Sequence, residues 1–116
     1  MARLFTLIAI VLLATGAHAT TKAFRTSATR VLSDTSNFGG CMVHLTKTPL
    51  EEGLDCNGPW VSFSCSGDFA PRDAAVRNFE IAQIAVLTEL TILVVVDDTK
   101  KHNGYCFASR IDLLRQ

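Results

Sequence analysis

A polar segment near the C-terminus, Asp97–Asn103, carries the densest group of side chains that could bind a ligand. Asp97 and Asp98 could ligate calcium through oxygen, but a specific calcium site needs several more ordered oxygens. Four further side chains could meet an anionic sugar such as sialic acid. They are Lys100, Lys101, His102 and Asn103. The alternative is a solvated hairpin turn, because an Asn-Gly pair readily takes the left-handed conformations that such a turn requires.

A second candidate site lies on two segments in which residues alternate between two faces, CMVHL and WVSFSC. If the two terminal cysteines lie opposite each other in an antiparallel pair, His44 faces Ser62 and Thr46 faces Trp60. A tryptophan ring can cover the apolar face of a sugar while an imidazole and a hydroxyl bind its oxygens. Tyr105, which begins the last apolar stretch, is a further candidate ligand residue. The alternative is a structural tryptophan that caps the fold or packs beneath the TPLEEG connection.

The residue types needed for catalysis are present, but their spacing matches no catalytic motif. His44 and His102 have no nucleophile at a recognisable motif distance. The acidic pairs in PLEEG and VVDD are adjacent residues, whereas a glycosidase needs two carboxylates opposed across a cleft. The serine-rich stretch SFSCSGD lacks the G-x-S-x-G nucleophile elbow. The sequence therefore predicts a protein that is not an enzyme and that needs no cofactor.

The N-terminal sequence MARLFTLIAIVLLATGAHA has the layout of a secretory signal peptide. Arg3 supplies the positive region, Leu4–Leu13 the apolar region, and Ala17-His18-Ala19 a small-x-small cleavage site. The apolar stretch is short for a membrane-spanning helix, and an uncleaved anchor is the alternative. We therefore expect residues 1–19 to be removed, and residues 20–116 to form a single domain that is periplasmic or secreted.

The charge of this expected mature chain argues against two classes of partner. The full sequence has 11 basic and 11 acidic residues, so removal of Arg3 leaves a net charge of −1 with neutral histidines. Such a domain lacks the basic surface of a general nucleic-acid binder and the basic patch that would hold it on anionic lipid. We expect neither nucleic-acid binding nor stable membrane insertion.

The pattern of the expected mature chain predicts a mainly β fold with one helix, of the α+β class. Strands are predicted at KAFRTSATRVLSD, CMVHL, WVSFSC, TILVVVDD and YCFASRIDLL, whereas the stretch after Pro71 has helical spacing. Five strands with a helix between the third and the fourth is the element order of the OB-fold, a five-stranded Greek-key barrel. A split αβ sandwich with the same order of elements is the alternative.

The four cysteines predict two disulfide bonds in a small exported domain. Successive cysteines are separated by 14, 8 and 40 residues, unlike the closely spaced pairs of a zinc site, so we expect no metal site. In an OB-fold the second and third strands are antiparallel, and the third and fifth are parallel. This arrangement favours Cys41–Cys65 and Cys56–Cys106 among the three connectivities.

The predicted helix has more apolar residues than one buried face requires. A core stripe is expected from five of them, which recur at helical spacing: Val76, Phe79, Ala82, Val86 and Leu90. Four others fall outside this stripe: Ile81, Ile84, Ala85 and Leu87. They predict either a helix buried on two sides or an interface between copies of the chain.

Several stretches together resemble a group of small exported bacterial proteins that are similar to the B subunit of subtilase cytotoxin. They are FGGCMVHL, GLDC followed by WVSFSCSGDF, the helix ending AQIAVL, and VDDTKKHNGYCFASRIDLL. The resemblance covers most of the chain after Phe38, in cysteine placement, helix position and the last two strands. That B subunit belongs with the OB-fold pentamers of bacterial toxins, which bind host-cell glycans and carry an enzymatic A subunit.

The resemblance therefore implies an exported, disulfide-bonded OB-fold that assembles as a pentamer through its helix. A glycan ligand and an enzymatic A subunit as a partner follow from it as hypotheses. No site residue is carried over, because the toxin's serine, acidic and tyrosine motifs have no assured counterpart in this chain. Residues and resemblance together favour an exported, non-catalytic carbohydrate-binding protein. The alternative is an exported or envelope protein-interaction domain with no glycan ligand.

Overall fold

The computed structural model describes residues 20–115, so the expected signal peptide lies outside the described residues. The elements are β1 (Thr21–Ser33), a short 3-10 helix (Phe38–Gly40), β2 (Cys41–Leu45), β3 (Trp60–Ser62), α1 (Arg72–Thr88), β4 (Thr91–His102) and β5 (Tyr105–Leu113). The predicted mainly β fold, with one α-helix between the third and fourth strands, is confirmed over this range. None of the described helices is both long enough and apolar enough to cross a membrane.

The five strands form one sheet in the order β1-β2-β3-β5-β4, and the order closes because β1 pairs with both β2 and β4. The first half of β1 pairs with β4, from Thr21 to Ser27, and the second half pairs with β2, from Ala28 to Ser33. The pairing between β3 and β5 is parallel, and the other pairings are antiparallel. Closure of the sheet therefore depends on the length of β1, which is long enough to pair first with β4 and then with β2.

Alternation along the strands places one set of apolar side chains inside the sheet, where Val43, Val61, Phe63 and Val94 are fully buried. Burial of an apolar side chain of this size contributes about 1.5–3 kcal/mol. Helix α1 packs against β1, β2 and β5. The small residues at this contact let the helix approach the sheet closely.

The buried face of α1 matches the predicted stripe in part. Ala75, Ala82 and Ala85 are buried, and Phe79, Ile81 and Val86 pack against the same core. Val76, expected in the core, is 42% exposed. Ile81 and Ala85, expected at an interface, belong instead to the packing of this domain, whereas Ile84 and Leu87 face outward. Phe79, Ala82 and Val86 therefore lie at the core as predicted, and the buried face also includes Ala75, Ile81 and Ala85, which the predicted stripe left out.

Both disulfides join the pairs that the strand order favoured, Cys41–Cys65 and Cys56–Cys106. The register between β2 and β3 nevertheless differs by two residues from the predicted one. His44 lies opposite Trp60 and Met42 opposite Ser62, so the predicted pairs of His44 with Ser62 and Thr46 with Trp60 are wrong. The ladder ends with Phe63 donating to the carbonyl of Cys41, and Ser64 then takes a left-handed φ of 60°. This bend lets Cys65 reach Cys41 from beyond the end of the ladder.

The polar segment Asp97–Asn103 was expected to be the loop of a hairpin. Most of it instead belongs to strand β4. β4 continues to His102 and pairs with β5 again beyond an irregularity between Asp97 and Lys101. The turn itself consists of Asn103 and Gly104, both with positive φ, as a two-residue hairpin requires.

The connection between β2 and β3 is fastened to β1 by one carboxylate. Glu52 lies 2.7 Å from the Lys47 Nζ and 3.1 Å from the Lys22 Nζ, and its side chain is 11% exposed. Hydrogen bonding, chiefly from Lys47, lowers the pKa of the Glu52 carboxyl below its usual value. The ion pairs therefore stabilise the fold while Glu52 is ionised.

We expect this contribution to be lost in acid. Because the pKa of Glu52 is lower in the folded chain than in the unfolded chain, the stabilisation is present above the unfolded pKa and disappears as pH falls through the folded pKa. Glu52→Gln should lower the melting temperature at pH 7 and give a smaller further decrease between pH 5 and pH 2 than the parent chain. The matched control is Glu80→Gln on the exposed side of α1. Equal acid sensitivity in the parent and Glu52→Gln would contradict the assignment.

Candidate functional site

Two adjacent cavities open on either side of Phe38. The larger one, called here the polar groove, has a volume of about 510 Å³ and is lined by residues 33–40 with Cys65, Ser66, Asp68, His102 and Asn103. The smaller one, called the aromatic cleft, has a volume of about 190 Å³ and is lined by Arg30, Leu32, Phe38, Met42, Trp60 and Tyr105. Phe38 borders both cavities, so they lie next to each other on one surface.

The loop that forms one wall of the polar groove is organised by Asp34. Its carboxylate accepts hydrogen bonds from the backbone N–H groups of Ser36 and Asn37, each at 2.8 Å. These two donors, with that of Ser36 first, lower the pKa of Asp34. Asp34 is therefore ionised at neutral pH, and one of its oxygens is committed to holding the loop.

Phe38 is held in an unusual backbone conformation by a buried hydroxyl. Its φ is 59°, a value that is uncommon for a bulky residue. The Ser62 hydroxyl donates to the Phe38 carbonyl at 2.7 Å and accepts from the N–H of Ser64 at 3.1 Å. The Phe38 ring meets the Tyr105 ring edge-to-face, with 5.7 Å between centroids. Ser62 thus fixes the position of the wall between the two cavities.

His102 projects into the polar groove from the end of β4. Its Nε2 lies 3.0 Å from the Ser64 Oγ, its ring centroid lies 4.6 Å from that of Phe69, and its Nδ1 lies 3.9 Å from the Asp68 carboxylate. Gly39 leaves room for this imidazole, since a Cβ at Gly39 would lie 2.6 Å from the His102 Cδ2. The position of His102 is therefore set by residues from two other parts of the chain, the stretch 64–69 and Gly39.

Ser64, His102 and Asp68 stand in the order of a hydrolase triad, but their surroundings do not suit nucleophilic attack. Ser64 is completely buried, and its hydroxyl also accepts a hydrogen bond from the N–H of Phe69 at 3.1 Å. A nucleophile must reach the substrate carbonyl, and a hydroxyl enclosed in this way cannot. In this conformation the serine orients His102.

The aromatic cleft is built around the only tryptophan of the sequence. The Arg30 guanidinium lies over the Trp60 ring, 5.4 Å from its centroid, and the His44 ring meets it edge-on at 5.1 Å. His44 is held in turn by a contact of 2.7 Å between its Nδ1 and the Thr29 hydroxyl. Trp60, Tyr105 and Phe38 present three rings to the cleft, and Arg30 adds a charged hydrogen-bond donor.

Four of the predicted ligand residues line one of the two cavities. Trp60 and Tyr105 line the aromatic cleft, and His102 and Asn103 line the polar groove. His44 supports Trp60 from the side. Ser62, predicted to face outward, is completely buried and acts only through Phe38. The sequence prediction for Ser62 was wrong because the fold covers the face of β3 on which it lies.

The remaining three predicted residues do not line either cavity. Asp98 accepts hydrogen bonds from the N–H groups of Thr20 and Asp55, and so ties the start of β1 to the connection before β3. Lys101 pairs with the Asp55 carboxylate at 3.0 Å. The Lys100 Nζ lies 5.9 Å from the centroid of the Phe107 ring. The calcium alternative has no support in residues 20–115, where no group of three His, Cys, Asp or Glu side chains could hold a metal ion.

Sequence reasoning missed Arg30, Phe38 and Asp68. Arg30 lies on an ordinary strand, and only the register between β1 and β2, which sets it beside His44, brings it near Trp60. Phe38 occurs in the stretch SNFGG, whose glycines indicated a turn. A bulky residue inside such a glycine-rich turn is the one signal that pointed to a special position.

Comparisons of this chain with protein-family models, with curated proteins and with solved structures found no match.

Proposed function

We propose that this chain is an exported, non-catalytic, OB-fold-like protein that binds a carbohydrate at the polar groove and the aromatic cleft. The observation that carries the proposal is the joining of these two cavities at Phe38. Aromatic rings can cover the apolar C–H face of a sugar, and hydroxyl, amide and carboxylate groups can bind its oxygens. Both kinds of surface are present within one continuous area.

Two features support the fold and the compartment in this proposal. The closed strand order with one helix between β3 and β4 agrees with a Greek-key OB-fold, in which ligands commonly bind the face of the second and third strands. Two disulfides suit an oxidising compartment, such as the periplasm or the extracellular space. We also propose, from the resemblance alone, that the protein is of the toxin B-subunit type.

The proposal predicts that Trp60→Ala abolishes most of the carbohydrate affinity. Purified residues 20–116 would be screened on a printed glycan array, and the strongest free glycan would then be titrated by calorimetry. Loss of a central aromatic contact costs at least about 2 kcal/mol, or roughly 30-fold in affinity. Since Trp60 is the only tryptophan, its fluorescence should also change as the glycan binds.

The matched control is Leu50→Ala, which removes an apolar side chain that is 62% exposed and does not line either cavity. It should leave the affinity within twofold of the parent value. The proposal fails if the parent chain binds no glycan on the array, or if the two variants weaken binding equally.

A second candidate function is suggested by the outer face of α1. Val76, Ile84 and Leu87 are 42%, 45% and 85% exposed, respectively. An apolar surface of this kind on a helix is typical of contact with another polypeptide. We propose that this face joins copies of the chain, with a pentamer as the expected state from the resemblance. An envelope protein-interaction domain without a glycan ligand would use the same face for another protein.

Leu87→Ser is expected to shift the protein from an oligomer to a monomer. Light scattering coupled to size-exclusion chromatography measures the mass directly. The control Leu50→Ser makes the same chemical change at an exposed leucine outside α1 and should leave the mass unchanged. A parent chain that is monomeric at high concentration would contradict self-association, and the protein-interaction alternative would then be the one favoured.

A further inference from the structure

The relation between the two cavities bears on the size of the ligand. Phe38 belongs to the lining of both, and Tyr105, which lines the cleft, follows the groove residues His102 and Asn103 in the same hairpin. We propose that the polar groove and the aromatic cleft are two subsites of one site, and that the ligand is a glycan of at least two sugar residues that spans Phe38. This inference rests on the proposed carbohydrate binding.

The aromatic cleft suits one sugar ring and no more. Its volume of about 190 Å³ is below the roughly 300–1,000 Å³ that is usual for a complete ligand site. Its walls are the rings of Phe38, Trp60 and Tyr105, which can cover an apolar sugar face, together with the Arg30 guanidinium. Arg30 forms no ion pair within the part of the chain that the structure describes, so its donors can reach sugar oxygens.

The polar groove has the complementary chemistry. It is lined by hydroxyl, amide and carboxylate groups and has a volume of about 510 Å³. The Asp68 side chain is 64% exposed, and its Oδ2 accepts a hydrogen bond from Ser66 at 2.8 Å. A carboxylate can accept about four hydrogen bonds, so Asp68 retains the capacity to bind sugar hydroxyls. A second sugar residue is therefore the appropriate occupant of this cavity.

Phe38 is fixed well enough to separate the two subsites. Its positive φ carries strain, and backbone strain of this kind is concentrated at ligand-binding positions. The hydrogen bond from Ser62 and the edge-to-face contact with Tyr105 oppose any rotation of the wall. The link between two sugar residues would cross the edge of this ring, so that Phe38 selects for ligands with a residue on each side.

The test uses the strongest di- or trisaccharide from a printed glycan array, and each of its constituent monosaccharides, titrated against the folded chain. Arg30→Ala alters the cleft alone, and Asp68→Ala alters the groove alone. The controls are Arg77→Ala and Asp73→Ala, which remove the same side chains from an exposed ion pair on α1. Each site variant should weaken oligosaccharide binding at least tenfold, and each control less than twofold.

The constituent monosaccharides should bind at least tenfold more weakly than the oligosaccharide, because joining two subsites makes the second contact intramolecular. If only one of the two site variants affects affinity, or if a monosaccharide binds as tightly as the oligosaccharide, the two-subsite inference is wrong while carbohydrate binding stands. If the parent chain binds no glycan on the array, carbohydrate binding fails and the inference fails with it.

Discussion

Replacement of Cys56 and Cys106 by alanine is expected to lower the free energy of unfolding by about 4 kcal/mol, as the loop-entropy relation gives for a sequence separation of 50. The same relation gives about 3.5 kcal/mol for Cys41 and Cys65, whose separation is 24. Either loss is a large share of the roughly 5–15 kcal/mol by which a native domain is stable. Replacement of all four cysteines, which removes both disulfides, should therefore leave the chain largely unfolded at 37 °C.

Urea denaturation followed by circular dichroism measures these changes. Alanine is the appropriate replacement because Cys41, Cys56 and Cys106 are buried, and serine would place a hydroxyl without a partner in the core. A variant of either pair that loses less than about 1 kcal/mol would show that loop entropy does not account for the stability. The two pairs also differ in position, since Cys65 borders the polar groove whereas Cys106 lies in β5 and does not line the groove. In a chain that remains folded, only loss of the Cys41–Cys65 disulfide should weaken ligand binding in the polar groove.

The cysteines also show which features of this fold can be predicted from the sequence. Antiparallel and parallel strand neighbours were enough to favour the correct disulfide pairs, because a disulfide needs only that two strand ends lie close together. The register between β2 and β3 was not accessible in the same way. It depends on the left-handed turn at Ser64, and a serine at that position gives no warning of positive φ.

The candidate site shows a similar division. Trp60 was identified from an alternating segment, Tyr105 from its place at the start of the last strand, and His102 and Asn103 from a dense polar segment between two apolar ones. Arg30 and Asp68 were not, since an arginine on a strand and an aspartate in a turn are ordinary surface residues until tertiary contacts bring them to a cavity. Ser62 was misassigned for the opposite reason: alternation predicts which face a residue occupies, but not whether a neighbouring loop covers that face.

Gly39 lies against His102, so a side chain at this position is expected both to destabilise the fold and to disturb the polar groove. Gly39→Ala is expected to lower the free energy of unfolding by about 1–2 kcal/mol through its left-handed φ of 73°. A further cost of about 1–3 kcal/mol is expected because the new methyl group overpacks the core. A Cβ there would lie 2.6 Å from both the Ser62 Oγ and the His102 Cδ2. Ser62 is completely buried and holds Phe38, so neither neighbour can move without changing the wall between the cavities.

Gly53→Ala separates the two causes, because Gly53 has a similar φ of 83° but nothing within 4 Å of the position that a Cβ would take. Urea denaturation should show only the backbone cost at Gly53, and an additional loss of at least about 1 kcal/mol at Gly39. In the folded fraction, Gly39→Ala should also change the NMR signals of the His102 ring, whereas Gly53→Ala should not. If the two substitutions destabilise the fold equally and His102 is undisturbed in both, the predicted overpacking at Gly39 is wrong.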